Sequence, residues 1–97
     1  MMYIAVATYQ VKPGKIDEAI HIWKEFVAKP AKFHGLKRAI FLTNRNTGRC
    51  LGIGWWDSKA DADKFETTGE WAVLVQEFQK VLTAAATREE FEIGAEV

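Results

Sequence analysis

Cysteine is nearly missing from this chain: Cys50 is the only one in 97 residues. A single cysteine cannot close an internal disulfide, cannot build a cysteine-based zinc site, and makes the cytoplasm the default setting. Histidine is scarce too. His21 and His34 lie far apart and lack a carboxylate set to complete a ligand shell, so no metal is expected. Net charge is absent, with thirteen Lys and Arg against thirteen Asp and Glu. Such a chain has no global pull toward nucleic acid or an anionic membrane, and no basic run or recognition motif restores one. No apolar run approaches the ~20 residues of a membrane span. The opening Met1-Met2-Tyr3-Ile4-Ala5-Val6 lacks a basic leader and enters a strand pattern at once, so it reads as no signal peptide. There is no Ser-His-Asp arrangement, phosphate loop or nucleotide fingerprint.

What is present is a core. Apolar residues make 48% of the chain and aromatics 12%, and the length suits one domain over 1–97. A chain this short leaves apolar surface uncovered, so self-association is expected. The organising stretch runs from Leu51 to Leu82 and holds three of the four tryptophans. It delivers Trp55 and Trp56 at a strand end straight into a helix start, a common way to wall a pocket.

Period sorts the rest. Met2 to Val11 alternates as a strand with Ile4, Val6, Thr8 and Gln10 opposite Tyr3, Ala5, Ala7, Tyr9 and Val11. After the Pro13-Gly14 turn, Ile16, Ala19, Ile20, Trp23 and Val27 form the core stripe of a helix to about Lys29, ended by Pro30. Residues 31–35 read as a loop. Leu36 to Thr43 and Arg49 to Trp56 are strands joined by the polar turn 44–48. Leu36, Arg38, Ile40 and Leu42 are expected to share a face. Gly52 and Gly54 share theirs with Trp56, which implies close backbone approach or room for a ligand. Ser58 is the expected N-cap, with Asp61 three residues on, of a short helix from Lys59 to about Glu66. A second helix is expected from Glu70 to about Thr83. The last strand is expected over Thr87 to Val97, with one face, Arg88, Glu90, Glu92, Gly94 and Glu96, charged as suits an edge or a solvated surface. The order β-α-β-β-α-β predicts an α+β, ferredoxin-like fold with a four-stranded antiparallel sheet. The helices cover one face. The other, still apolar, predicts a homodimer burying sheet against sheet.

Three segments carry a resemblance. Val11-Lys12-Pro13-Gly14-Lys15 leads into a helix bearing Trp23. His34-Gly35-Leu36 precedes the second strand. Trp56-Asp57-Ser58 forms a strand-to-helix junction followed by an Ala/Phe helix. Across nearly its whole length the chain resembles the antibiotic biosynthesis monooxygenase-like family of dimeric α/β barrels. The resemblance implies a pocket between helices and sheet. It also implies kinship with cofactor-independent monooxygenases of polycyclic aromatics and with haem-degrading monooxygenases. The first group has an Asn, a Trp and a Tyr; Trp56 matches the Trp, while Gly52 and Ala62 replace the others. The haem-degrading group's Asn, Trp and His fall on Ala7, Phe65 and Val75, so haem degradation is not expected.

The candidate site residues follow. Trp56 is read as a pocket wall for an aromatic ligand, or else as a core tryptophan at a strand end. Trp23, Phe65 and Trp71 are read as core that can also line the pocket. Tyr9 shares a face with small residues that leave space. His34 is either a general base at the pocket mouth or a solvated loop residue. Two functions are expected from these features. One is a cofactor-independent monooxygenase-like enzyme acting on a small aromatic or polyketide-like molecule. The other is a non-catalytic, ligand-binding or stress-associated dimer.

Overall fold

Strand and helix periods sort the chain largely as its sequence predicts, and the departures fall at the edges of the sheet. A computed structural model describes residues 2–27 and 33–97. The elements are β1 (Tyr3–Gln10), α1 (Ile16–Val27), β2 (Leu36–Thr43), β3 (Arg49–Trp56), α2 (Lys59–Thr67), α3 (Glu70–Phe78), a 3-10 turn (Gln79–Val81) and β4 (Thr87–Glu92). The sheet is antiparallel throughout, in the order β2-β3-β1-β4, so β1 is central and β2 and β4 are edges. This is the ferredoxin-like α+β arrangement. The expected continuation of the first helix to Lys29 and the start of the following loop lie outside the described residues.

All three helices lie on one face. The inward residues of β1 and β3, from Ala5, Ala7 and Tyr9 to Cys50 and Trp56, are buried against Ala19, Ala62, Leu74 and Phe78. The turn into α2 is fixed by its cap: Ser58 Oγ accepts the Asp61 backbone N–H at 3.1 Å and donates to the Asp61 carboxylate at 3.0 Å. Gly35 packs beneath this junction. Its φ is +86°, and a Cβ there would collide with the Asp61 side chain.

Four expectations need correction. Leu36 does not share the face of Arg38, because a register shift falls between them. Leu36 pairs with Trp56 and turns inward, while Arg38 pairs with Trp55 and turns outward. The second helix stops at Phe78 instead of reaching Thr83. The end of β1 captures the chain there: Lys12 N–H donates to the Val81 carbonyl at 2.8 Å and Thr83 N–H to the Gln10 carbonyl at 2.9 Å. The last strand stops at Glu92. Its partner is Tyr3, where β1 itself begins, so further residues have no strand to join. Finally, β4 is an edge strand, but its charged face is not solvated throughout: Arg88 and Glu90 pair with Ala7 and Ala5 on the helix side, with the Arg88 side chain only 4% exposed, while Glu92 beside Tyr3 stays exposed.

Candidate functional site

The helix-side face has two ends. At one, Tyr9 stacks on Phe78 with centroids 4.4 Å apart, closed in by Val11, Val81 and Cys50. At the other, Gly52 and Gly54 leave the sheet without side chains, and a cavity of about 60 Å³ opens above them. Trp23, Trp56, Phe65 and Trp71 wall it, with Ala5, Ala7 and Phe33 beside them. Strand alternation explains the pair of adjacent tryptophans. Trp56 turns in and packs among Phe33, Phe65 and Ala62, 4% exposed. Trp55 turns out, beneath the Arg38 guanidinium at 4.9 Å from its centroid.

The glycines are occupied by polar groups rather than by solvent. A Cβ on Gly52 would lie 3.1 Å from Trp23 Nε1 and 3.7 Å from the Tyr9 hydroxyl. One on Gly54 would lie 3.1 Å from Trp56 Nε1. The Trp56 N–H is buried and meets no acceptor. A buried N–H left in that condition costs about 1–3 kcal/mol, so its persistence marks a place where an acceptor belongs. Burial pushes the Tyr9 phenol well above its ordinary value, against a weaker opposing pull from Arg88, so it stays protonated and donates.

Arg88 completes the lining. Its Nη1 meets Glu90 at 2.8 Å and Glu66 at 3.4 Å, Nη2 donates to the Ala62 carbonyl at 3.1 Å, and the guanidinium sits 5.3 Å from the Phe65 centroid. Burial and a hydrogen bond with Asp63 raise the Glu90 carboxyl above its ordinary value, while Arg88 opposes the rise. Sequence reasoning missed Arg88 because alternating charge on a last strand reads as a wet edge. The signal was in α2. Its Lys-Ala-Asp-Ala-Asp-Lys-Phe-Glu-Thr offers only Ala62 and Phe65 to the interior, too little apolar cover for an apolar strand beneath it.

Of the residues singled out in the sequence, Trp56, Trp23, Phe65, Trp71 and Tyr9 all line the cavity. His34 does not; it is exposed on the loop before β2. Cys50 is buried beneath Gly48, its thiol pushed up by burial, in the closed end of the core. Among the described residues no group of His, Cys, Asp and Glu could hold a metal ion.

A four-stranded antiparallel sheet with helices on one face and an aromatic pocket between them defines a class of small ferredoxin-like proteins. The profile of the antibiotic biosynthesis monooxygenase family matches residues 2–80, and the chain belongs to that family. Solved structures agree on the fold. A mutant of SnoaB, a cofactor-independent oxygenase from Streptomyces nogalater, superposes with a TM-score of 0.79 at 13% identity, over 99% of this chain and 96% of that one. A putative antibiotic biosynthesis monooxygenase from Caulobacter crescentus gives 0.79 at 18% identity, over 97% and 91%. One from Bordetella bronchiseptica gives 0.80 at 9% identity, over 97% and 98%. Identities this low carry the fold alone. No curated protein matches the chain in sequence.

Proposed function

We propose that this chain is a cofactor-independent, monooxygenase-like enzyme that binds a small aromatic or polyketide-like molecule in the helix-side cavity. The observation that carries the reading is the buried, unpartnered Trp56 N–H in an aromatic-walled cavity. The polar groups around it, Trp23 Nε1, the Tyr9 hydroxyl and the Arg88 guanidinium, all donate. Such a lining fits a flat ring system bearing a carbonyl or phenolate oxygen, and it disfavours an amine.

Oxygenation without a cofactor requires that the substrate itself supply the electrons. An activated methylene loses a proton to give a carbanion. The carbanion gives an electron to O2 and joins it as a peroxide anion, which takes up a proton to become a hydroperoxide and then loses water to leave a carbonyl. The sum is CH2 plus O2 giving CO plus H2O. Donors aimed at the oxygen where negative charge collects favour the first step, and a nearby guanidinium lowers the substrate's own pKa. The walls exclude water and hold the ring.

A second reading, a non-catalytic ligand-binding or stress-associated dimer, is favoured by one observation. Among the described residues the lining holds no group that accepts a proton near neutral pH: the Tyr9 phenol is pushed up by burial, and His34 lies outside. Oxygen uptake measured with a panel of quinol-like aromatics separates the two. Uptake that disappears in Arg88→Met supports the enzyme. Saturable quenching of tryptophan fluorescence with no oxygen consumed selects the binder.

The proposal includes a homodimer with a single domain per chain, and a cytoplasmic setting. The outer sheet face supports the dimer. Ile4, Val6, Ile40, Leu51, Ile53 and Trp55 share it, and Leu42 and Phe91 on its flanks are 45% and 44% exposed. Burying that face at about 25 cal/mol per Å² makes a second copy the natural cover. A folded monomer persisting at micromolar concentration in light scattering would count against it.

A further inference from the structure

The cavity is small for the ligand it is shaped to hold. Dry cavities that take even a benzene ring are on the order of 150 Å³, and drug-sized ligands need roughly 300–1,000 Å³. The 60 Å³ above Gly52 and Gly54 holds only part of such a molecule. A second concavity of about 360 Å³ adjoins it, between the last turns of α1 and the start of β2. The two share Trp23, Val27, Leu36 and Ala39. Leu36 reaches this common wall only because of the register shift beside Arg38.

The groove differs in charge from the rest of the molecule. Residues 24 to 38 carry five cations in sequence, Lys24, Lys29, Lys32, Lys37 and Arg38, against the single acid Glu25, in a chain that is neutral overall. Among the described residues, Lys24, Lys37 and Arg38 line the groove. Arg38 spends its guanidinium on Trp55. Lys37 meets Asp57 at 3.1 Å across an exposed ion pair, and among the described residues Lys24 pairs with no carboxylate. Among the described residues no carboxylate lines the groove itself.

We propose that cavity and groove form one elongated site, and that its ligand carries an acceptor oxygen at the inner end and an anionic group, a carboxylate, at the outer end beside Lys24 and Lys37. This rests on the reading of the cavity as an aromatic site and adds a second anchor to it. The ring system lies along the shared wall of Trp23, Val27, Leu36 and Ala39. The inner donors select the oxygen. The lysines select the charge and orient the molecule, since a ligand entering the other way round would put its carboxylate among the aromatic rings. Trp23 belongs to both halves and is the hinge of recognition, its ring stacked on Phe41 at 5.4 Å and its N–H over Gly52.

The test compares two probes, acetylnaphthalene and its derivative with a carboxyl on the far ring. Binding is titrated by tryptophan fluorescence at low ionic strength with the full chain and with the Lys24→Glu, Lys37→Glu double variant. Both probes should bind the native chain, the acid roughly 3- to 10-fold tighter, as exposed ion pairs allow. That preference should close at high salt and reverse in the double variant. Equal affinity for the two probes, or a preference that survives the double variant, overturns the outer anchor and leaves the cavity reading standing. Binding of neither probe overturns the cavity reading and this one with it.

Discussion

Two ends of one sheet face are built from the same residue types to opposite effect. Around Phe78, the Tyr9 ring stacks at 4.4 Å and Val11 and Val81 close the gaps, while the other side of Tyr9 meets Trp71 at a tilt, 6.2 Å away, and borders the cavity. Around Trp56, rings meet at tilts and wider spacings, 5.7 Å from Trp56 to Phe65 and 6.4 Å from Phe65 to Trp71, and glycines replace side chains beneath them. The first end is filled by side chains and stabilises the fold. The second leaves the Trp56 N–H without an acceptor beside a cavity of about 60 Å³. Stability and binding are therefore separable in a domain of one small core, because they sit at different ends of the same strands.

The largest expected effect tests the closed end. Phe78→Ala removes the ring stacked on Tyr9 in a site with no exposure and should cost about 3–5 kcal/mol, read as a lowered denaturation midpoint. A loss under 1 kcal/mol would mean the two ends do not differ. Next comes Gly54→Ala in the open end. Its Cβ would fall 3.1 Å from Trp56 Nε1 and 3.3 Å from Leu36 Cδ1, so overpacking should cost about 1–3 kcal/mol in the same assay and weaken binding of an aromatic ketone together with it.

The Tyr9 phenol gives a pH test at the boundary between the two ends. Its pKa is raised in the folded state from an ordinary value of 10.0. The unfolded chain therefore loses that proton first as pH rises. The stability it contributes is fully present below pH 10 and falls above it, at up to about 1.4 kcal/mol per pH unit. Denaturation curves of the native chain and Tyr9→Phe should diverge only above that pH. Parallel curves would place the phenol in contact with water. The smallest effect on stability belongs to Trp56→Phe. It keeps a ring and deletes the unpartnered N–H, so stability should change by less than about 1 kcal/mol, while affinity for the aromatic ketone falls roughly 5- to 10-fold. Calorimetry and fluorescence titration on one variant would show whether the two properties part company.

The closed end was legible in the sequence and the open end only in part. Alternation in β1 and β3 put Tyr9, Trp56 and the glycines on one face, because period two leaves no choice once a strand is fixed. The helical stripe through Ile16, Ala19 and Trp23 was equally forced. Arg88 was not legible, since its burial depends on how little apolar cover α2 provides, a property of a different element. Nor was the inward turn of Leu36, which a single extra residue in an edge strand reverses. His34 illustrates the converse. Its chemistry suited a base, but a loop position carries no information on which way a side chain reaches, and it stands exposed.

The central position of β1 has a consequence for biogenesis. Of the four strands it is made first, and both β3 and β4 pair with it, yet Tyr3 pairs with Trp56 on one side and Glu92 on the other. Neither partner exists until most of the chain has been made. The β2–β3 hairpin, closed by its short turn, assembles early from neighbours in sequence, and then waits for a strand that has been waiting for it. In that interval Tyr3–Gln10 has two open edges and an apolar side chain at most positions, the profile of a segment that pairs with the wrong neighbour. Yield in a cell should accordingly respond to synthesis rate and chaperone supply more strongly than the stability of the finished fold would suggest.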